Sequence, residues 1–320
     1  MTRKTKIWLL VASALLFVGL IVFSVSMSAL KWDFKKLSNT TYVENSYEIT
    51  EDFTSISINT STSDIKIAPS TSDKVEVKVF ENKKEQHSVS VVNGTLDINC
   101  IDNRKWYDHI NFGFTSSNMT VFLPISQYEN LNIKSDTSDV YISKEFTFNN
   151  AYITLSTGDL KYYATTCENL FIKRSTGKVL IENATAKNIT IQGSTGDTVL
   201  KSVSANEDIS IKCSTGDVIL KNITMVNLIS TGDTGEMELE NVIASGKFDI
   251  KRSTGDIELE SCDASEIYIT TDTGDVEGSL LTEKIFKLKT DTGNVRVPDT
   301  TSGGLCKITT DTGDIKIRIK

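Results

Sequence analysis

The sequence predicts an all-β protein built as a parallel β-solenoid, or β-helix, and three observations carry that prediction. The first is a period. Ser-Thr-Gly-Asp and close variants recur, and their glycines, Gly158, Gly177, Gly196, Gly216, Gly235, Gly255, Gly274, Gly293 and Gly313, lie 19 or 20 residues apart. A period of that length marks one structural unit stacked on copies of itself. The second is alternation. Apolar pairs spaced by two flank each marker glycine: Leu170/Ile172 before Gly177 and Val179/Ile181 after it, Ile209/Ile211 and Val218/Leu220 around Gly216, Phe286/Leu288 and Val295/Val297 around Gly293. Spacing by two is strand periodicity with one face buried, and the residues are largely β-branched, as strands favour. The third is turn chemistry. Glycine takes positive φ without a Cβ penalty, short polar neighbours bond local backbone, and the threonine before each glycine is placed for a hydroxyl ladder. Each repeat therefore reads as strand, tight turn, strand, second turn. Two short strands cannot bury a core alone, so successive coils must pair in parallel, about 4.8 Å apart, and ten of them make a rod on the order of 48 Å long. A right-handed coil is the preferred sense.

The elements follow in chain order. Residues 1–6, with Arg3, Lys4 and Lys6, form a basic tail. Residues 7–30 carry no charge and are long enough to span a bilayer as a helix. The basic flank places the N-terminus in the cytoplasm and the rest outside, as a single-pass cell-membrane protein with an uncleaved signal-anchor. Lys31, Lys35 and Lys36 weaken that orientation slightly, and a signal peptide cleaved near Ser26-Met27-Ser28 is the competing reading. Residues 31–48 read as a linker. Residues 49–118 read as an N-terminal β region: Val75–Val79 alternates, and Ser88–Ile98 folds as a hairpin about Asn93-Gly94, an antiparallel cap for the solenoid. Residues 119–320 form the repeat domain. The same template finds hidden coils at Ser63, flanked by Ile56/Ile58 and Ile65/Ile67, at Ser138, flanked by Leu131/Ile133 and Val140/Ile142, and at Met119, flanked by Phe112/Phe114 and Val121/Leu123. One coil offers two pivots, Gly232 and Gly235. With Gly235 as pivot Ser230 falls on an inward position, and a local bulge is expected there. The last coil has no cap, so Lys316 and Arg318 are its only guard against pairing, and end-to-end self-association is open to it.

Charge and composition exclude several function classes. The chain carries −8. With the three basic residues of the tail set aside, the remainder carries −8 − 3 = −11, which argues against nucleic acid or anionic lipid as partner. Five cysteines, Cys100, Cys167, Cys213, Cys262 and Cys306, form no ladder and no Cys-x-x-Cys motif. They read as small buried residues, with a disulfide left open. Nearly every carboxylate recurs with the period, the two histidines, His87 and His109, lie outside the regular coils, and no nucleophile-elbow, metal-ligand or nucleotide motif is present. The chain therefore reads as a non-enzyme. A carbohydrate-active β-helix enzyme, with paired acid and base groups, is the alternative, and a self-assembling surface filament is a third reading.

Three features remain as candidate sites. Carboxylates follow the marker glycine at Asp159, Asp197, Asp217, Glu236, Asp256, Asp275 and Asp314, interrupted by Lys178 and Asn294. They suit either turn capping or a calcium ladder, and calcium is the one cofactor the spacing suggests. Stacked carboxylates repel by roughly 0.9 kcal/mol per step in water, so no ion is required. Three residues after each marker lie Leu180, Val199 and Ile219, an outward apolar stripe and candidate contact site. Glu238, Glu258 and Glu277 follow, then Arg296 and Lys316. With Glu240, Glu260 and the turn carboxylates Glu236, Asp256 and Asp275, the acidic run is a candidate patch for a cation or a cationic peptide. The third feature is the loop with Trp106 and Tyr107, placed to stack on a sugar or to seal the end of the core.

Taken together, the basic start, the single span, the Ser-Thr-Gly-Asp turns, and Val121-Phe122-Leu123-Pro124 followed by Leu131–Val140 resemble the bacterial putative-adhesin family of β-strand-repeat membrane proteins, LiaG-like proteins of Gram-positive bacteria among them. The resemblance covers roughly residues 49–320. It implies surface exposure and, in some members, an association with cell-envelope stress; the anchor, the period and the missing catalytic constellation make an envelope protein or cell-wall polymer the expected partner of the rod. The resemblance brings no catalytic residues.

Overall fold

The computed structural model describes residues 2–33, 41–72, 74–105 and 116–320. Outside the N-terminal helix it is an all-β solenoid of about ten turns. The first strands of successive coils stack in parallel: Ser55–Thr60, Gln127–Thr137, Thr147–Thr157, Thr165–Thr176, Asn188–Thr195, Asp208–Thr215 and Asn227–Thr234. Their inward residues form unbroken columns such as Ile56, Leu131, Ala151, Leu170, Ile189 and Ile209, all at most 1% exposed. The second strands stack likewise from Asp64–Pro69 through Val140–Ile142, Leu160–Tyr162 and Val179–Glu182. Ser63 and Ser138 are thus the turns of the first two coils, as the template predicts.

The five coils from Gly177 to Gly255 have a third short side that the two-strand reading lacks. Six residues after the marker the chain turns a corner on one residue with φ between 52° and 56°: Asn183, Ser202, Asn222, Asn241 and Ser261. The next residues pair in parallel across coils, Val203 with Ile223 and Ile223 with Val242, and they are buried. The second turn of the repeat is therefore a one-residue corner followed by another core-facing strand.

The marker glycines are required by the stacking as well as by the turn. Each has φ between +117° and +155°. A Cβ on any of the nine would lie between 2.0 and 2.3 Å from a backbone oxygen of the neighbouring coil. The gap is closed by backbone bonds such as Gly196 N–H to Thr215 O, 2.9 Å. The turn threonines align in register, and the bond between coils is made by their carbonyls; among the described residues no hydroxyl ladder forms. The two-pivot coil turns at Gly235 (φ +135°). Ser230 sits inward at 0% exposure and pairs in register with Ile211 and Ile250, so the expected bulge is absent.

At the N-terminal end an antiparallel group covers the first coil. Tyr42–Ile49 pairs with Val75–Asn82, which pairs with Asn118–Leu123, and Glu85–Val92 forms a hairpin with Thr95–Asp102. Thr95–Asp102 and Asn118–Leu123 also run parallel beneath Ser55–Thr60 and Asp64–Pro69, which joins the group to the stack. Two expectations change. Tyr42–Ile49 belongs to this group and not to a linker. Met119 is a strand residue at 1% exposure, paired with Ile65 and Val79, and not a turn marker. Phe112 and Phe114 lie outside the described residues.

The far end departs from sequence order. Ile267 pairs with Cys306 and Phe286 also pairs with Cys306, so the coil of Gly313 lies between those of Gly274 and Gly293. The second strands agree: Val276 pairs with Ile315, which pairs with Val295. The chain skips one place, lays down the Gly293 coil, and returns to fill the gap. Gly303 and Gly304 admit the returning strand. A Cβ on either would lie 1.8 Å from the backbone oxygen of Glu283 or Ser265. The basic last coil of the sequence is therefore enclosed, and the Gly293 coil forms the tip.

The helix spans Arg3–Ala29, capped by the Thr2 hydroxyl, which accepts from Thr5 N–H. It is long and apolar enough to cross a membrane, and its apolar window is not buried within the protein.

Candidate functional site

The turn carboxylates form a ladder, and its ligands are backbone amides. Oδ1 of Asp139 accepts from Asp159 N–H at 2.8 Å, Asp159 from Lys178 at 2.7 Å, Asp217 from Glu236 at 2.9 Å and Asp256 from Asp275 at 2.8 Å. Asp275 and Asp314 continue it in spatial order, to Asp314 and Asn294, at 2.8 Å each. Neither turn capping within a coil nor a calcium ladder describes this: each carboxylate staples its coil to the next. The N–H of Asn294 holds the Asp314 carboxyl below its usual range, with Lys316 adding to the effect. Among the described residues no group of His, Cys, Asp or Glu is placed to hold a metal ion. Asp217→Ala removes one such charge-assisted bond, and a loss of about 1.5–3 kcal/mol is expected. Thermal unfolding should show a melting temperature lower by several degrees, with Asp217→Asn recovering most of it.

The outward columns also differ from expectation. Leu180, Val199 and Ile219 do stand on adjacent rungs. Val199, flanked on both sides by longer apolar chains, is only 4% exposed, and Leu180 and Ile219 are half-buried. The three cover one another, so the expected exposed stripe is closed. The acidic run is bracketed by its own cations. Lys221 reaches Glu238 at 2.7 Å and Glu240 at 3.1 Å, Lys316 reaches Glu277 at 2.7 Å, and Lys320 reaches Glu260 at 2.5 Å. Lys320 holds the Glu260 carboxyl below its ordinary range. Among the described residues Glu258 of the outward run and the turn carboxylates Glu236, Asp256 and Asp275 form no ion pair, so lysines neutralise about half of the patch. Trp106 and Tyr107 lie outside the described residues.

Exposed, unpaired chemistry gathers instead on the side wall near the cap. Register sets Tyr141 between Lys66 and Lys161 on successive rungs. Its ring is 38% exposed, packs against Tyr163 with centroids 5.5 Å apart, and carries the Lys66 ammonium 5.8 Å from its centre. Asp64, Asp139 and Asp159 line the same groove, with Asn118 and Thr120, around about 350 Å³. Among the described residues none of these lysines and aspartates forms an ion pair. An aromatic face ringed by separate ammonium donors and carboxylate acceptors is suited to a hydroxyl-rich ligand. The sequence signal was available: Lys66, Tyr141 and Lys161 each lie three residues after a marker, but the first two belong to coils whose marker is serine.

Two buried polar groups escaped the sequence reading. Glu81 Oε2 accepts from His87 N–H and contacts His87 Nδ1, both at 2.7 Å, and His87 Nε2 lies 2.8 Å from Thr60 Oγ1. The order carboxylate, imidazole, hydroxyl is that of a catalytic relay. Here all three residues are at most 4% exposed, and Asn45 donates to Glu81 Oε1 at 2.6 Å. The relay fastens the cap to the first coil. The second group is one inward column reading Arg174, Gly193, Cys213, Gly232, Arg252 on successive rungs. The glycines make room for the guanidinium groups. Arg174 donates to the carbonyls of Thr195 and Gly196 at 2.6 Å each, whereas Nε and Nη1 of Arg252 have no partner. Burial lowers the basicity of Arg252. All five cysteines are free thiols. Burial pushes Cys262 up to about 11 and Cys306 up to about 12.

The family described as Toastrack DUF4097 matches residues 53–208 and 204–320. No curated protein sequence matches. Among solved structures, a "putative lipid binding protein" from Parabacteroides distasonis aligns with 85% of this chain and 96% of its own, at 15% identity and a TM-score of 0.49. A "putative adhesin" from Bacteroides fragilis aligns with 88% of this chain and 97% of its own, at 14% identity and a TM-score of 0.38. A second "putative adhesin" from Parabacteroides distasonis aligns with 88% and 98%, at 11% identity and a TM-score of 0.45.

Proposed function

This chain belongs to the Toastrack DUF4097 family, and we propose from that premise that it is a membrane-tethered, non-enzymatic, adhesin-like rod that contacts a polymer of the cell envelope. The helix Arg3–Ala29 anchors it with the basic tail in the cytoplasm, and the solenoid stands outside. The groove around Tyr141 carries the reading. There an exposed aromatic ring meets lysines and aspartates that form no ion pair among the described residues. A sugar ring stacks on Tyr141 while Lys161 donates to hydroxyl or acidic oxygens and the free aspartate oxygens accept. The buried relay of Glu81, His87 and Thr60 supports binding over catalysis, because its hydroxyl is already enclosed between cap and coil.

Full-length protein in detergent micelles should co-sediment with isolated cell walls. Tyr141→Ala combined with Lys161→Ala should lower the retained fraction at least fivefold at an unchanged melting temperature. Unchanged retention sinks the groove as contact site, and release of reducing sugar from the walls sinks the non-enzymatic reading.

A further inference from the structure

The inverted order of the last two coils leaves a chemically distinct tip. Lys284–Thr292 and Val295–Arg296 pair on one side only, with Gly304–Thr312 and Ile315–Ile319. No strand among the described residues lies on their other side. Val295 is 48% exposed, whereas Ile315 and Val276, at the same inward position one and two rungs down, are 0% exposed. Phe286 and Leu288 are half-buried where their counterparts Cys306 and Ile308 are 0% exposed. The core thus ends in water along a strand edge with free backbone donors and acceptors, a template for another strand.

Charge selects the occupant. Lys287, Lys289 and Arg296 point outward from this rung and are exposed, and Asp291 pairs with Lys289 at 3.0 Å. The two edge strands thus carry three exposed cations against one exposed carboxylate, on a chain of net charge −8. A second copy in the two-fold antiparallel register centred on Leu288 would set Lys287 of each copy against Lys289 of the other, and like charges directly opposite are unfavourable.

We propose that the tip binds an extended acidic segment of a partner protein, added as a further rung. Its apolar side chains cover Phe286 and Leu288, and its alternate carboxylates face Lys287 and Lys289. This names a partner chemistry for the adhesin-like rod and rests on that reading only in taking the rod to be a binding module. The tip lies at the opposite end of the stack from the cap that contains Tyr42–Ile49, at the end that does not receive the chain from the anchor.

The test uses full-length protein in detergent micelles and two labelled ten-residue peptides, one alternating valine with glutamate and one alternating valine with lysine. The glutamate peptide should bind at least tenfold more tightly and should slow amide hydrogen exchange at 285–289. Lys287→Glu combined with Lys289→Glu should reverse the preference. Absent binding, equal affinities, protection elsewhere on the rod, or an unchanged preference in the charge-reversed protein overturns the proposal. So does concentration-dependent dimerisation that protects 285–289, which makes a second copy the occupant. Cell walls and the Tyr141 groove take no part in the assay, so its failure leaves the polymer reading standing.

Discussion

Gly235→Ala is expected to destabilise the solenoid by about 3–5 kcal/mol and to lower its melting temperature by roughly 10 °C. Two costs combine. The turn holds Gly235 at φ +135°, a conformation that strains any residue with a Cβ by about 1–3 kcal/mol. The new Cβ would also lie 2.2 Å from Gly216 O and 2.6 Å from Gly216 C, both backbone atoms of the coil below. Relief requires the two coils to part, and parting weakens the bonds from Gly216 N–H to Thr234 O and from Val218 N–H to Glu236 O. Gly94→Ala separates the two costs. Gly94 has φ +73° in the cap hairpin, but a Cβ there meets nothing within 4 Å. Only strain remains, and a loss of about 1 kcal/mol is expected. Equal losses in the two variants, measured by chemical denaturation, would show that stacking distance plays no part in fixing the glycines.

What the sequence exposed and what it hid follow from the same geometry. Period and alternation are local, so the coil, the inward pairs and the turn glycines could be read from residues such as Ile209, Ile211 and Gly216. The third side was hidden because its inward residues are small or mixed, Ala184, Val203, Ile223 and Cys262, and because the corner before it is held by Asn or Ser instead of Gly. The side-wall columns were placed correctly, but exposure is a property of neighbours. Val199 is hidden by Leu180 and Ile219, and Glu238 is neutralised by Lys221 across the rung. Outward position alone therefore does not give exposure, whereas Tyr141, flanked by lysines instead of aliphatics, stays 38% exposed with the Lys66 ammonium over its ring. The buried Arg174 and Arg252 are legible only when aligned with Gly193 and Gly232 in the same column, because a guanidinium fits in the core only where its neighbour has no side chain.

Stacking order is the one global property that a period cannot encode, and a pair of substitutions reads it directly. In the inverted stack Ile308 is enclosed between the coils of Gly274 and Gly293 at 0% exposure, while Leu288 sits half-buried at the tip. Ile308→Ala should therefore cost about 3–4 kcal/mol, the loss of buried methylenes plus an unfilled cavity. Leu288→Ala should cost about 1 kcal/mol, because water already reaches one side of it. A stack in sequence order demands the reverse, with Leu288 enclosed and Ile308 at the open end. The readout is equilibrium unfolding of both variants, supported by amide exchange. In the inverted order the strand Gly304–Thr312, bonded on both edges, exchanges more slowly than Lys284–Thr292, bonded on one. Gly303→Val provides an independent check, since a side chain there would meet Glu283 O at 1.8 Å. Blocking the returning strand should leave the Gly293 coil unsupported and 284–303 open to protease, whereas in a sequential stack the same substitution would disturb only the final coil.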